Sequence, residues 1–290
     1  MARLFVVFVA YRSLGSPLVQ RYLRQLGQRY RPASLVVVDN AGGPAAAQVP
    51  GAQVIAGDNR LREFSGWDRG VAWLSAHAGL ADDDWIVFAN DSVCRQAHLR
   101  WLTLGRARRV ITRALATAAG TGPRAAGPVV ACPMGEVGGF GTPFRSFVAT
   151  CFFALPCRTV RRIGGLAVDL PWDAWLGAAW PQPLFQLPGE AAYNRFCNAW
   201  LGCGQPRGLG GWPGSAAHPF TAENHAFLRG KAQCILLEGR LAAALSAQHA
   251  SLARNLYHPA PWNGMLQWLF RRLARDAPAA DQQPQVSRPP

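Results

Sequence analysis

The stretch Trp85-Ile86-Val87-Phe88-Ala89-Asn90-Asp91-Ser92-Val93 decides the fold class of this chain. It opens with five apolar residues that do not alternate with polar ones, a pattern typical of a strand buried on both faces of a sheet. Three small polar residues then end the run. Ligands of open α/β sheets bind beyond the carboxyl ends of the strands, so the stretch predicts Asp91 at a ligand site. An Asx turn that only ends the strand is the alternative.

A second apolar run, Leu35-Val36-Val37-Val38-Asp39-Asn40, ends in the same way. Residues 4–10 predict a first strand and residues 53–56 a short third strand, while apolar spacing predicts helices over 15–30 and 64–77. The order β-α-β-β-α-β with nearly continuous apolar strands predicts an α/β fold. Its sheet is expected to be mostly parallel and flanked by helices.

The second half of the chain predicts further strands at 127–132 and 147–155, separated by a glycine-rich segment at 135–143 that we interpret as a mobile loop. The predicted helices cover residues 156–163, 190–201, 223–246 and an amphipathic extension over 246–275. Aromatic and arginine side chains in that extension suit a helix on an anionic membrane surface, or equally a helix packed on the domain. The Pro-, Ala- and Gln-rich end is predicted to be a disordered tail.

Composition places the chain among globular proteins with anionic partners. The 290 residues carry a formal net charge of +14, which favours nucleic acid, nucleotides or phospholipid surfaces. Seven scattered cysteines without a CxxC pair indicate a reducing compartment, so we expect a cytoplasmic protein. No apolar run approaches the ~20 residues that span a membrane.

Two common phosphate-binding motifs are missing. The first predicted strand is followed by Tyr11-Arg12-Ser13-Leu14-Gly15 instead of GxGxxG, and the sequence contains no GxxxxGK[ST]. Dinucleotide binding and P-loop chemistry are therefore disfavoured. What remains is a nucleotide site built from side-chain carboxylates and amides.

Four features of the first half resemble the GT-A type, family 2-like glycosyltransferases, near their polysaccharide rhamnosyltransferase-like branch. Residues 6–11 resemble the first strand and its base-stacking aromatic, and residues 36–41 resemble the "VVDN" strand. Asn59, followed by Glu-Phe-Ser-Gly-Trp-Asp-Arg-Gly at 63–70, is similar to the donor-site loop and helix. Residues 86–92 resemble the strand that ends in the metal-binding DxD motif.

The second half is similar to the same family. Residues 147–155 and the "GG" turn within 160–166 resemble the acceptor-side strand and its turn, and Gly189-Glu190 resembles the start of the "GED" helix. The resemblance covers roughly residues 4–245. It implies a catalytic domain over 1–245 with a donor half at about 1–120 and an acceptor half at about 127–245, followed by the helical extension over 246–275 and the tail over 276–290.

The resemblance implies transfer of a sugar from a nucleotide-diphosphate donor to a hydroxyl of a glycan or lipid-linked acceptor, with inversion, in cell-surface polysaccharide synthesis. The nucleobase would stack near Tyr11 and bond to Asp39, although Asp39 also fits a plain turn cap. The residues expected to bind the nucleotide sugar are Tyr11, Asp39, Asn40, Asn59, Trp67, Asp68 and Asn90.

A divalent cation, Mg²⁺ or Mn²⁺, is implied at Asp91, with His218 as a second candidate ligand or else a surface histidine. Here the family's DxD is replaced by Asn-Asp-Ser, so only one carboxylate is certain, and neutralisation of the diphosphate by arginines is the alternative. Glu190 is the expected general base and Asp173 its rival. Glu190 also fits a plain first-turn acid stabilised by the helix dipole.

Two other classes of function stay open at this stage. The net charge is compatible with a nucleic-acid-binding module, although the arginines are spread along the chain and form no single stripe with interleaved aromatics. The altered DxD is compatible with a degenerate, non-catalytic relative that serves as a scaffold.

Overall fold

A computed structural model describes residues 2–12, 14–42, 49–95, 111–112, 124–127, 129–132, 135–148, 150–202, 218–248 and 251–253. The strands are β1 (Leu4–Ala10), β2 (Ser34–Asp39), β3 (Gln53–Ala56), β4 (Trp85–Asn90), β5 (Arg124–Ala126), β6 (Val129–Ala131), β7 (Ser146–Val148), β8 (Phe152–Pro156) and β9 (Ser251–Ala253). The helices are α1 (Pro17–Tyr30), α2 (Arg62–His77), α3 (Ser92–Arg95), α4 (Cys157–Arg162), α5 (Trp172–Trp175), α6 (Ala191–Gly202) and α7 (His225–Ala247).

The main sheet has seven strands in the order β3-β2-β1-β4-β8-β5-β9. β1, β2, β3 and β4 run parallel to one another, whereas β8 pairs antiparallel with both β4 and β5. β9 returns to a parallel pairing with β5, and β6 and β7 form a separate two-stranded sheet. The predicted α/β fold with a mostly parallel sheet flanked by helices is confirmed.

The central strands are apolar on both sides because helices cover both faces of the sheet. In β1, Val7 and Val9 pack in the cluster that contains Phe64 and Leu74 of α2. The intervening Val6 and Phe8 pack in the cluster that contains Val19 and Leu23 of α1. Each fully buried side chain of this kind contributes about 1.5–3 kcal/mol relative to exposure. The uninterrupted apolar runs in the sequence follow from this two-sided burial.

Two glycines let α2 lie directly against β1. A Cβ added to Gly66 would come within 2.8 Å of Val9 Cγ2, and one added to Gly70 within 2.3 Å of Val7 Cγ1. The two glycines are four residues apart and therefore share one helix face. This close approach fixes the first turn of α2 beside the carboxyl ends of β1 and β2.

The glycine-rich segment is an attached hairpin, which corrects its interpretation as a mobile loop. Val137 and Phe144 exchange backbone hydrogen bonds of 3.0 Å in both directions. At the tip, the Phe140 ring packs edge-on against Trp175, with 5.6 Å between ring centroids. Gly239 of α7 also faces this ring, since a Cβ there would lie 2.6 Å from Phe140 Cζ. Aromatic packing therefore holds the turn in place.

Other boundaries differ from the sequence prediction. The strand predicted at 127–132 is β6 of the small sheet, whereas β5 of the main sheet precedes it and was not predicted. The strand predicted at 147–155 is divided into β7 and β8. Residues 251–253, expected to be helical, form β9 at the sheet edge. The rest of the extension, the tail and most of a basic segment at 97–118 lie outside the described residues. None of the described helices is both long and apolar enough to cross a membrane.

Candidate functional site

The ends of three neighbouring parallel strands meet at the carboxyl edge of the sheet. The Asp91 backbone N–H donates to the Val9 carbonyl at 3.1 Å, and Asp91 Oδ2 accepts a 3.0 Å bond from the Tyr11 N–H. The Asn40 N–H donates to the Ala10 carbonyl at 2.8 Å. Tyr11, Asn40 and Asp91 are therefore held together, as their positions after three strands predict.

Asp91 is almost enclosed, with 5% of its surface exposed. Burial raises the pKa of its carboxyl group, while the bond from the Tyr11 N–H and the positive charge of Arg12 act in the opposite direction. The carboxylate thus joins the end of β4 to the end of β1.

The Tyr11 hydroxyl connects this edge to α2, because it donates a 3.0 Å hydrogen bond to Glu63 Oε2. Burial raises the pKa of Tyr11, and the negative charge of Glu63 raises it further. The phenol therefore stays protonated and acts as a donor. Glu63 begins the stretch at 63–70 that resembles the donor-site loop and helix, but it was not among the residues expected to bind the nucleotide sugar.

A further acid, Glu238, approaches from α7. The Thr150 hydroxyl donates a hydrogen bond to Glu238 Oε1. Burial raises the pKa of Glu238 to about 7, and the charge of Glu63 contributes in the same direction. Cys234 lies one turn earlier on α7, and its Sγ is 3.8 Å from Glu63 Oε2. Strongly shifted acids of this kind are concentrated at functional sites.

The sequence does contain a signal for Glu238. It is four residues from Cys234 and three from Leu241, both buried, so it shares the apolar face of the helix. A lone acid on such a face is unusual unless it is paired or has a function. The sequence prediction treated this helix as structural only.

Three predicted nucleotide-binding residues line the edge in different ways. Asp39 Oδ1 accepts a 2.8 Å bond from the Ala41 N–H, which is the turn-cap arrangement. Asn40 Nδ2 donates to the Arg62 carbonyl at 3.3 Å, whereas its Oδ1 is buried without a hydrogen-bond partner. Asn59 is exposed and has a left-handed backbone, with φ of 51°.

Trp67 and Asn90, which were predicted to bind the nucleotide sugar, have structural roles instead. Trp67 is fully buried, and its indole Nε1 donates a 3.0 Å bond to the Ala89 carbonyl. Its ring packs edge-on against Phe88 and Phe153. Asn90 is also buried, and its Oδ1 accepts a 3.1 Å bond from the Ser92 N–H. Trp67 is a core residue, and Asn90 caps the turn after β4.

Asp68 is likewise corrected to a structural role. Its carboxylate accepts bonds of 2.8 Å from the backbone N–H groups of both Leu166 and Ala167. Burial raises its pKa, although these two bonds and the charge of Arg240 oppose that shift. Arg240 itself donates to the Ile163 and Gly165 carbonyls at 2.5 and 3.3 Å. Asp68 and Arg240 together clamp the glycine turn after α4.

The two predicted bases have different environments. Glu190 precedes α6, and its Oε1 accepts a 2.7 Å bond from the Gly138 N–H in the hairpin. The Asp173 side chain is 97% exposed and forms a 2.8 Å ion pair with Arg229. Glu190 is thus tied to the hairpin through one carboxylate oxygen, whereas the Asp173 carboxylate lies in solvent.

The predicted metal ligands do not form a protein cage for a divalent ion. One Asp91 oxygen accepts the Tyr11 N–H, and the His218 ring packs against Phe227, with 4.4 Å between the centroids. Across the described ranges, no group of three or more His, Cys, Asp or Glu side chains could hold a metal ion.

No protein-family model matches the sequence, and no curated protein matches it. A solved structure of 4-diphosphocytidyl-2C-methyl-D-erythritol synthase aligns with 58% of this chain and 82% of its own chain. The identity is 18% and the TM-score 0.36. A likeness this distant gives no guide to activity, because function depends on the residues of the site and not on the fold.

Proposed function

We propose that this protein transfers a sugar from a nucleotide-diphosphate donor to a hydroxyl of a glycan or lipid-linked acceptor. The observation that carries the proposal is the bond between Asp91 and the Tyr11 N–H, which joins the ends of two parallel strands beside Asn40. Polar groups at such an edge form the ligand crevice of open α/β sheets.

The donor nucleoside would lie against Tyr11 and Asp39. The bond to Glu63 fixes the Tyr11 ring, which can then stack on a nucleobase without losing further side-chain entropy. Asp39 uses one oxygen for the Ala41 N–H and offers the other to the base or ribose. Asn59, exposed at the start of the same crevice, supplies a further amide.

Transfer is a displacement at the anomeric carbon. The acceptor oxygen forms a bond to the anomeric carbon as the bond between that carbon and the β-phosphate oxygen breaks. The nucleoside diphosphate leaves with the electron pair of the broken bond. The acceptor proton moves to a carboxylate that acts as general base. We assign this role to Glu190, because its second oxygen is not engaged by the Gly138 N–H.

The substitution Glu190→Gln tests this assignment. It keeps an oxygen for the Gly138 N–H but cannot accept a proton, so transfer should fall by at least 100-fold with donor affinity unchanged. Turnover of the Glu190→Gln variant at the wild-type rate would show that Glu190 is not the general base. Glu238, whose pKa of about 7 suits a general base at neutral pH, would then be the next residue to substitute with Gln.

A donor screen tests the function itself. Thermal unfolding is measured with UDP-, GDP- and dTDP-sugars, each with and without Mn²⁺. A donor at 100 times its Kd should stabilise the protein by about 2.7 kcal/mol. Absence of any shift together with tight, salt-sensitive binding of RNA or DNA would contradict the proposal. Donor binding without transfer to any acceptor would indicate a non-catalytic scaffold.

A further inference from the structure

Arg62 has an unusual backbone conformation at the first position of α2. Its φ is +52°, in the left-handed region that non-glycine residues rarely occupy. Its carbonyl accepts the Asn40 side-chain amide at 3.3 Å, and the next residue, Glu63, accepts the Tyr11 hydroxyl. Arg62 is therefore fixed at the carboxyl edge, between the ends of β1 and β2.

The Arg62 side chain extends from this edge to α7. Its guanidinium carbon lies 5.4 Å from the centre of the Phe227 ring, and Nη2 donates to the Phe227 carbonyl at 3.4 Å. Gly230 completes the contact, because a Cβ there would lie only 2.9 Å from Nη2. An aromatic face and a glycine thus hold the guanidinium beside the crevice.

Arg62 forms no ion pair with any described residue, in contrast to Arg60 two positions earlier, which pairs with Asp169 at 3.3 Å. A guanidinium has five N–H donors, and the hydrogen bond to Phe227 uses one of them. The remaining donors have the fork geometry that binds phosphate oxygens in pairs. Stacking on Phe227 also orients the group before a ligand arrives.

We infer that Arg62, held between Phe227 and Gly230, binds the diphosphate of the nucleotide ligand at the carboxyl edge of the sheet. The inference rests on the proposed function for the identity of the ligand. In this arrangement an arginine neutralises the negative charge of the diphosphate. Among the described residues, Asp91 has no further carboxylate, histidine or cysteine partners with which it could hold a metal ion for that purpose. The positive charge would stabilise the departing diphosphate during transfer.

The test is isothermal titration of the full chain with UDP, GDP and dTDP, with the matching nucleosides, and with inorganic pyrophosphate, in EDTA. Arg62→Gln should weaken nucleoside-diphosphate and pyrophosphate binding at least tenfold and leave nucleoside binding unchanged. Arg62→Lys keeps the charge without the fork and should give an intermediate loss. Gly230→Ala should weaken diphosphate binding several-fold by displacing the guanidinium.

Arg60→Gln is the matched control, since it removes the same charge from the same segment at an exposed ion pair. Equal diphosphate affinity in the wild type, Arg62→Gln and Arg60→Gln would overturn the inference and leave the proposed function standing. Arg62-dependent binding of pyrophosphate without binding of any nucleotide would support the subsite and contradict the function. A wild type that binds neither would overturn both.

Discussion

Glu238 shows how strongly one half-buried carboxyl group can tie stability to pH. Burial and the nearby charge of Glu63 raise its folded-state pKa from the ordinary 4.5 to about 7. The folded protein therefore binds this proton more tightly than the unfolded chain does. The free energy of unfolding should fall as pH rises from 4.5 through 7, by on the order of 3 kcal/mol.

Replacing Glu238 with Gln should remove this dependence, because an amide still accepts the Thr150 hydroxyl but does not titrate. Between pH 4.5 and pH 8, the free energy of unfolding of the variant should rise by about 3 kcal/mol relative to that of the wild type. Urea unfolding at the two pH values measures the difference. The exposed Glu136→Gln serves as control, and the same pH response in both variants would contradict the account.

For individual residues, the sequence predicted the site residues that directly follow strands but not those that lie on helices packed against the sheet. Tyr11, Asn40 and Asp91 follow directly from the strand ends. Glu63 and Glu238 reach the same edge only through the packing of α2 and α7. The helix pattern marks Glu238 as an acid on an apolar face but does not place it at this edge. The opposite error occurred at Trp67, where a motif match could not distinguish a ligand contact from a core side chain.

The position of α2 is tightly constrained, because its glycines allow direct contact with β1. Gly70→Ala would place a methyl group 2.3 Å from Val7 Cγ1. We expect a loss of about 1–3 kcal/mol, although alanine favours helices. Gly27→Ala in α1 is the control, since no atom lies within 4 Å of the new Cβ. It should stabilise by about 0.5–1 kcal/mol. Chemical denaturation compares the two, and similar effects would contradict this packing.

The turn after α4 depends on a side chain from α2. Asp68→Ala would leave the backbone N–H groups of Leu166 and Ala167 without acceptors, at a cost of about 2–4 kcal/mol. Asp169→Ala, at an exposed side chain, should change stability by under about 1 kcal/mol. Nucleotide affinity at temperatures well below unfolding should be unchanged in both variants. Loss of affinity in Asp68→Ala alone would restore Asp68 as a binding residue.

Over the whole molecule, the sequence specified the parallel half of the sheet better than the antiparallel half. Buried parallel strands have long apolar runs, and β1, β2 and β4 were predicted from them. β5 and β9 have only three residues each and are defined by their partners. The hairpin at 137–144 is held by Trp175 and Gly239, which lie far away in sequence, so composition alone suggested a loose loop.

Hydrogen–deuterium exchange with and without the donor that binds best in the screen would locate the nucleotide site on the sheet. We expect slower exchange at residues 11–12, 40–42 and 57–63, which surround the carboxyl edge, with little change elsewhere in the sheet. Slower exchange confined to the opposite edge, at the cavity lined by Arg24, Arg31 and Ser34, would contradict it.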